Sequence, residues 1–354
     1  MQKRFVIFAA MKSALGIVCA CFAALFVSAC GGAASEGTVP EAAPSVYYWR
    51  TTLRLDSAER AFLREHRIGK IYLRFFDVAV REGRAVPTAT LHFDEPLPDS
   101  VQAVPVVFLT EECLHADTTE LAGRLVERVA KMARANGLEN VCELQLDCDW
   151  ASSSRTTYFA LLADVRERLR QIGWRLSVTI RLHQLAQPAP PADYGVLMLY
   201  NTGDFRRRDG HNPILDERDV EPFLRRLPDY ALPLCAAYPD YRWQLLFEDG
   251  SFRALLYDEN LADSLVYAPL AGDSLYRVVS ARTLHGALQS DYDVHLVPGQ
   301  EVVVHRSRPD VVLRLRQRLE SLRPGLHAQT ILYHLDSRYL NNFNANEYEK
   351  LFHD

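Results

Sequence analysis

The strongest constraint on the fold of this chain is an alternation. Eight short β-rich runs, Val46–Leu53, Lys70–Phe76, Val104–Leu109, Cys142–Asp149, Arg175–Arg181, Gly195–Asn201, Leu232–Ala237 and Thr330–Leu335, are separated by stretches that include several helical patterns. Ser57–His66 follows Asp56, a residue suited to an N-cap, and Thr118–Asn136 stops at Gly137. Ser153–Ile172 carries Tyr158, Leu161, Leu162, Val165 and Leu169 at helical spacing and stops at Gly173, while Arg308–Leu322 runs into Pro324-Gly325. Eight βα-like units point to an α/β fold, a (β/α)8 TIM barrel, with its functional groups at the carboxyl ends of the strands. A doubly wound nucleotide-binding sheet would need a Gly-rich turn after the first strand, and this chain has none there.

Two intervals are too long for simple loops. Residues 78–102, with Arg81-Glu82-Gly83-Arg84 as a turn, read as a hairpin excursion after the second strand. Residues 244–307 read as a small α+β insertion between strand seven and the last helix. Within it we expect a hairpin about Glu248-Asp249-Gly250-Ser251, a helix over 273–286, and extended runs at Val294–Val297 and Glu301–His305. The barrel then comprises residues 46–243 and 308–354.

Strand four carries an unusual face. Alternate side chains of a strand point to opposite sides, so Cys142, Leu144, Leu146 and Cys148 form one apolar row and Glu143, Gln145, Asp147 and Asp149 form the other. Three carboxylates on one side of a buried strand imply a polar cavity or a site. Strand five repeats the pattern with Ser177, Thr179, Arg181 and His183 on one face. Arg74 lies among apolar neighbours in strand two, with Asp77 after it, and a buried arginine needs a carboxylate. Arg74 or Arg181 is therefore expected to pair with Asp147 or Asp149. Strand six ends Met198-Leu199-Tyr200-Asn201, strand seven leads to Tyr238 and Trp243, and strand eight contains His334. Rings and amides at a barrel mouth suit sugars, whose apolar faces stack on aromatics while their hydroxyls take hydrogen bonds.

In order and wording these strands resemble the family eighteen glycoside hydrolases, the chitinase-like barrels. That family carries Asp-x-Asp-x-Glu on strand four and Met-x-Tyr followed by Asp or Asn on strand six. It has a Pro-x-Tyr-like stretch on strand seven, and many members have an α+β insertion after it. The resemblance places Asp147 and Asp149 on the two aspartates and Met198, Tyr200 and Asn201 on the sixth-strand set, with Tyr238 near the seventh-strand aromatic. Taken with the polar rows and strand ends above, it leads us to expect that Asp149 orients the substrate or acts as base while Asp147 tunes it, and that Arg74, Arg181, His183, Tyr200, Asn201, Tyr238, Trp243 and His334 surround a carbohydrate. The departure is Ala151, which stands where the family has its proton-donating glutamate. Loss of a general acid costs roughly 10²–10⁴-fold in rate. Candidate substitutes are Glu111, Glu112, Asp204, His334 and Asp336.

The amino terminus has a basic start at Lys3 and Arg4, an apolar run Ala14–Val27 and the ending Val27-Ser28-Ala29-Cys30. That is a secretory signal over 1–29 with the look of a bacterial lipobox, which implies lipidation of Cys30 and anchoring to the membrane of the cell envelope, at the outer membrane. Residues 30–45 form a Gly-, Ala- and Ser-rich tether. Removing the signal takes away Lys3, Arg4 and Lys12 and no acid, which moves the formal charge from −5 to −8 and argues against nucleic acid as a partner. Cys113, Cys142, Cys148 and Cys235 lack C-x-x-C spacing and read as small buried hydrophobes rather than a zinc or redox site. Asp147, Asp149 and His183 fit no recognised ligand spacing, so no metal and no cofactor is expected. Two functions follow: an envelope lipoprotein whose barrel binds and hydrolyses a glycan, or a catalytically silent barrel of the same descent that binds glycan or scaffolds an envelope complex.

Overall fold

The computed structural model describes residues 43–285 and 293–353. The expected signal, Cys30 and most of the tether lie outside the described residues. Eight parallel strands close on themselves: β1 (Ser45–Tyr48), β2 (Lys70–Arg81), β3 (Gln102–Leu109), β4 (Glu143–Cys148), β5 (Arg175–Ile180), β6 (Tyr194–Met198), β7 (Leu234–Pro239) and β8 (Thr330–Tyr333). Each pairs with the next in chain order, and β8 pairs back onto β1 through Ser45–Ile331 and Val46–Leu332. The barrel expected from the alternation is the fold.

Strand parity sorts the core. Tyr47, Tyr72, Val104, Val106, Tyr194, Val196, Cys235 and Ala237 fill the interior. Their neighbours, such as Val46, Ile71, Leu73, Leu144, Leu146, Val178 and Ile180, pack outward beneath the helices. One irregularity shapes the mouth of the barrel. A register shift between Arg74 and Phe76 lets both Phe75 and Phe76 enter the outer core, which returns Asp77 to the side of Arg74.

The outer layer contains α1 (Ser57–Glu65), α2 (Leu121–Ala135), α3 (Arg155–Gln171), α4 (Glu217–Leu224), α5 (Pro309–Leu322) and α6 (Ala345–His353). Asp56 caps α1 as expected: it accepts from the Glu59 N–H, while the Glu59 carboxylate accepts from the Asp56 N–H. In α3 the five residues picked out by helical spacing are the buried ones. Between β5 and β6 the chain makes only a short 3-10 turn, Leu182–Ala186. After β2 the expected hairpin forms, with Arg84–Thr88 antiparallel to it.

The insertion differs from expectation. Its main sheet has five antiparallel strands, Ser251–Leu256, Arg242–Glu248, Glu301–Arg306, Leu275–Val278 and Tyr267–Ala271, and Arg282–Leu284 pairs with Val294–Leu296 beside it. Of the helix expected over 273–286, the described residues contribute two strands instead, so among the described residues the insertion is β rather than α+β. The reason is tertiary. Leu275–Arg277 pair with Glu301–Val303, and Val278 is buried against Leu246, Tyr267 and Val302. β-branched Val278 and Thr283 suit that pleated surface better than a helix.

Candidate functional site

A barrel of this kind presents its working groups at the carboxyl ends of the strands. There a cleft of about 300 Å³ opens between the barrel and the insertion. A larger hollow of about 690 Å³ lies on the flank between the Arg84–Thr88 hairpin and α2. The smaller cleft is lined by residues from the carboxyl ends of the strands, Trp49, Arg74, Asn201 and Tyr333 among them, at the end of the barrel where Asp149 and Arg181 also stand, so the mouth is the candidate site.

The floor of the mouth is aromatic. Tyr333, at the end of β8, stacks flat on Tyr200 with ring centroids 4.1 Å apart. It also meets Tyr47, Trp49 and Tyr241 at 5.7, 6.0 and 5.8 Å. Asn201 has a positive φ of 54°, a conformation asparagine tolerates better than most residues, and its Oδ1 accepts from the Tyr241 hydroxyl. Trp243 packs against Tyr241 at 5.6 Å and so reaches the cleft from the first strand of the insertion.

The carboxylates stand at different depths. Asp147 is buried and accepts from Thr179 Oγ1 at 2.6 Å, with Arg181 Nη2 3.5 Å from the same oxygen. Asp149 is 60% exposed at the rim, where its Oδ1 lies 3.9 Å from both Arg181 Nε and His183 Nε2. Burial works against the charge on Arg181, but Asp147, Tyr200 and Asp149 more than offset it and raise its pKa. Arg74 makes a bidentate pair with Asp77 through one guanidinium edge, Nε to Oδ1 and Nη2 to Oδ2, and lies over the Trp49 ring. Of the expected pairings, Arg181 with the two aspartates is present; Arg74 is engaged by Asp77 instead.

Several buried polar atoms at this end lack a partner among the described residues: Tyr200 Oη, Arg181 Nε, His334 Nδ1, Arg50 Nε and Arg242 Nε. Such atoms are costly, and a cluster of them around one opening marks where solvent or a ligand completes the hydrogen bonding. Burial lowers the pKa of His334 to about 4, so its imidazole is neutral near pH 7.

The structure brings Arg74, Asn201, Trp243 and His334 into the lining of the cleft and places Asp147, Asp149, Arg181, His183 and Tyr200 on the same end of the barrel. Tyr238 is not brought there. It faces outward with the even-numbered residues of β7, fully buried, and its hydroxyl meets His327 Nε2 at 2.7 Å. Tyr241 occupies the position expected of it, and parity gives the reason: Cys235 and Ala237 face the interior, so Tyr238 cannot. Sequence reasoning also missed Trp49, Tyr333 and Tyr339, together with Arg50, Arg242, Arg338 and Asp258. Parity carried along β8 from Ile331 would have found Tyr333.

The candidate substitute acids disperse. Glu111 accepts from Ser154 Oγ at 2.7 Å, beneath the turn that begins at Ala151. Glu112 is exposed on the 3-10 turn Glu111–His115 and Asp204 is exposed on a loop. Asp336 is buried and held by Arg338. No group of three or more His, Cys, Asp or Glu side chains among the described residues is arranged to hold a metal ion. Of the four cysteines there, Cys113, Cys148 and Cys235 are buried.

Among solved structures the chain is similar to the chitinase of Chromobacterium violaceum ATCC 12472, with 15% identity, a TM-score of 0.54, and coverage of 88% of this chain and 98% of that one. It is also similar to the spore cortex-lytic enzyme SleL of Bacillus cereus, with 15% identity, a TM-score of 0.53, and coverage of 90% and 75%. A third similar structure is the Ostrinia furnacalis Group IV chitinase in complex with allosamidin, with 11% identity, a TM-score of 0.50, and coverage of 87% and 96%. At these identities the likeness establishes a shared fold. No family model and no curated protein matches the sequence.

Proposed function

We propose that this chain is an exported carbohydrate-binding protein whose barrel mouth holds a glycan without acid-catalysed cleavage. The observation that carries this is the surroundings of Asp149: the ionisable side chains within 4 Å of it among the described residues are Arg181 and His183, and neither is a carboxylic acid. Ala151, in the position where the family resemblance implies the proton donor, is exposed and has no proton to give. The other carboxylates near the cleft are engaged by arginine, Asp77 by Arg74 and Asp258 by Arg242 and Arg338. Asp240 has a pKa raised to about 7 by burial, the value wanted of a general acid, but it accepts from Tyr348 and Asn342 and does not line the cleft. The aromatic floor, with the free polar atoms around it, supports a sugar as the ligand.

The test is a panel of envelope and host glycans offered to the full-length chain in detergent, with both binding and newly released reducing ends measured. Binding without product is the expected result. Turnover that disappears in Asp149→Asn would replace this reading with the hydrolase one, and failure to bind any glycan would remove it. Ala151→Glu supplies a further arm: product appearing only in that variant supports a silent barrel that lacks nothing but its acid.

Export and anchoring belong to the same proposal. Cleavage before Cys30 and acylation of its thiol would leave the barrel on a tether at the envelope. Radiolabelled palmitate should enter the wild-type chain and not Cys30→Ser; label retained by the variant would sink the anchor.

A further inference from the structure

We propose that the ligand of the mouth is an anionic saccharide, a sugar chain bearing carboxylate or sulfate groups; this rests on the carbohydrate reading of the site. The cleft wall presents four guanidinium groups, Arg50, Arg74, Arg242 and Arg338, against one carboxylate, Asp258. Each of the four is ion-paired, to Glu59, Asp77, Asp258 or Asp336, so what sets this lining apart is the guanidinium edges at its surface rather than a net positive charge.

The arginines are held for use from the wall side. Arg50 is backed by the buried carboxylate of Glu59, Arg74 by Asp77 and Arg338 by Asp336, and none of these three acids lines the cleft. The guanidinium planes lie over rings as well: Arg50 over Tyr48 at 4.7 Å, Arg74 over Trp49 at 5.4 Å, and Arg338 and Arg242 over Tyr339 at 5.3 and 5.9 Å. A backing carboxylate and a ring together fix the plane of a guanidinium, which is the preorganisation that bidentate recognition of an anion requires.

The network does not close on itself. Arg50 Nε and Arg242 Nε are buried without an acceptor, as is Arg181 Nε deeper in the mouth. An ion-pair cluster serving only to fasten the insertion to the barrel would satisfy its own donors. An uncharged sugar would be met well enough by the rings and by Asn201, leaving these N–H groups unpaired. An anionic substituent is met instead by the guanidinium groups of Arg50, Arg74 and Arg242 that line the cleft, a recognition an uncharged sugar does not use. His334, beside Arg50 and Arg338, is kept uncharged by burial and adds no cation to the wall near pH 7.

Calorimetry on the full-length chain in detergent tests this with matched probes: trigalacturonate against its methyl ester, and chitotriose against its sulfated form. At least one charged probe should bind ~10-fold or more tightly than its uncharged counterpart, with the preference shrinking as salt is raised. Which of the two is preferred separates carboxylate from sulfate. Arg242→Gln and, independently, Arg50→Gln should each weaken the charged probe ~10-fold while leaving an uncharged one within about twofold, with Arg242→Lys intermediate because it keeps charge but not the fork. Thermal melting of each variant confirms that it is folded. Should the uncharged probes bind as tightly as the charged ones, or the arginine variants lose both alike, the anionic inference falls and the carbohydrate reading stands. If no probe of either kind binds, both fall.

Discussion

Glu143 and Asp149 lie on the same face of the same run of chain, yet they meet opposite environments. Glu143, at the closed end of the barrel, accepts from Ser177 Oγ and from Tyr194 Oη, each at 2.5 Å. Tyr194 in turn meets Tyr72 at 2.9 Å, Gln329 donates to Tyr72 and Ser45, and Gln145 accepts from Tyr47 at 2.6 Å. Gln329 Oε1 and Thr330 Oγ1 are left over at that end among the described residues. Asp149, six residues on, is open to solvent with its nearest charges 3.9 Å away. Parity selects the face, and height on the strand decides what a polar residue there does. Where water cannot enter, polar groups must satisfy one another; at the mouth they are left with capacity to spare.

Height and burial coincide along β4 and can be separated elsewhere. Asp240 stands at the mouth end of β7 but is fully buried, and burial, opposed by hydrogen bonds from Tyr348 and Asn342, raises its pKa to about 7. If burial is what counts, Asp240 should give the largest electrostatic signature in the molecule. Its folded pKa lies above the ordinary carboxylate value, so its contribution to stability is fully present below about pH 4 and is lost as pH rises to about 7. Asp240→Asn should therefore match the wild type near pH 4 and exceed it at pH 8, by on the order of 4 kcal/mol at most. Urea denaturation across that window measures it. Equal pH slopes in the two proteins would mean that Asp240 is ionised when folded.

Glu143 comes next in size. Glu143→Ala strands two buried hydroxyl donors and opens a cavity, a loss of about 3 kcal/mol by denaturant titration. Removing a donor as well, as Glu143→Leu with Tyr194→Phe, should recover part of that loss, since replacing both partners costs less than orphaning one. A double variant no better than the single would mean that the polar groups of the closed end do not satisfy one another as a network.

How much of the molecule is legible in its sequence divides the same way. The barrel and the polar rows of β4 and β5 depend on period and parity, which are local, and Ser177 and Thr179 proved to be the partners of Glu143 and Asp147. Met198, Tyr200 and Asn201 likewise lie together, with Met198 Sδ 2.7 Å from Arg181 Nη1. The rest depends on closure. Arg50, Arg242 and Arg338 sit just past strand ends, and no period indicates that three segments far apart in the chain will line one cleft. Tyr238 failed because parity was not carried through β7. The strand at Leu275–Val278 was hidden because the pairing that builds it into the sheet, with Glu301–Val303, lies far outside the window in which a helical period is read.

The smallest expected effect on stability is the one that matters most for function. Asp149 has no short hydrogen bond among the described residues, and Arg181 and His183 near it are at the limit of ion-pair distance. Asp149→Asn should then change stability by less than ~0.5 kcal/mol, as exposed, loosely paired charges generally do. A residue so cheap to remove is not there to hold β4 in place, and Arg181 retains Asp147 as its partner when Asp149 is neutralised. Its value must lie in what it presents at the rim. The same variant should accordingly weaken or redirect glycan binding in the calorimetric assay while melting with the wild type. If instead Asp149→Asn destabilises the fold as Glu143→Ala does, the division between the two ends of β4 collapses, and the rim carboxylate becomes one more structural member of the barrel.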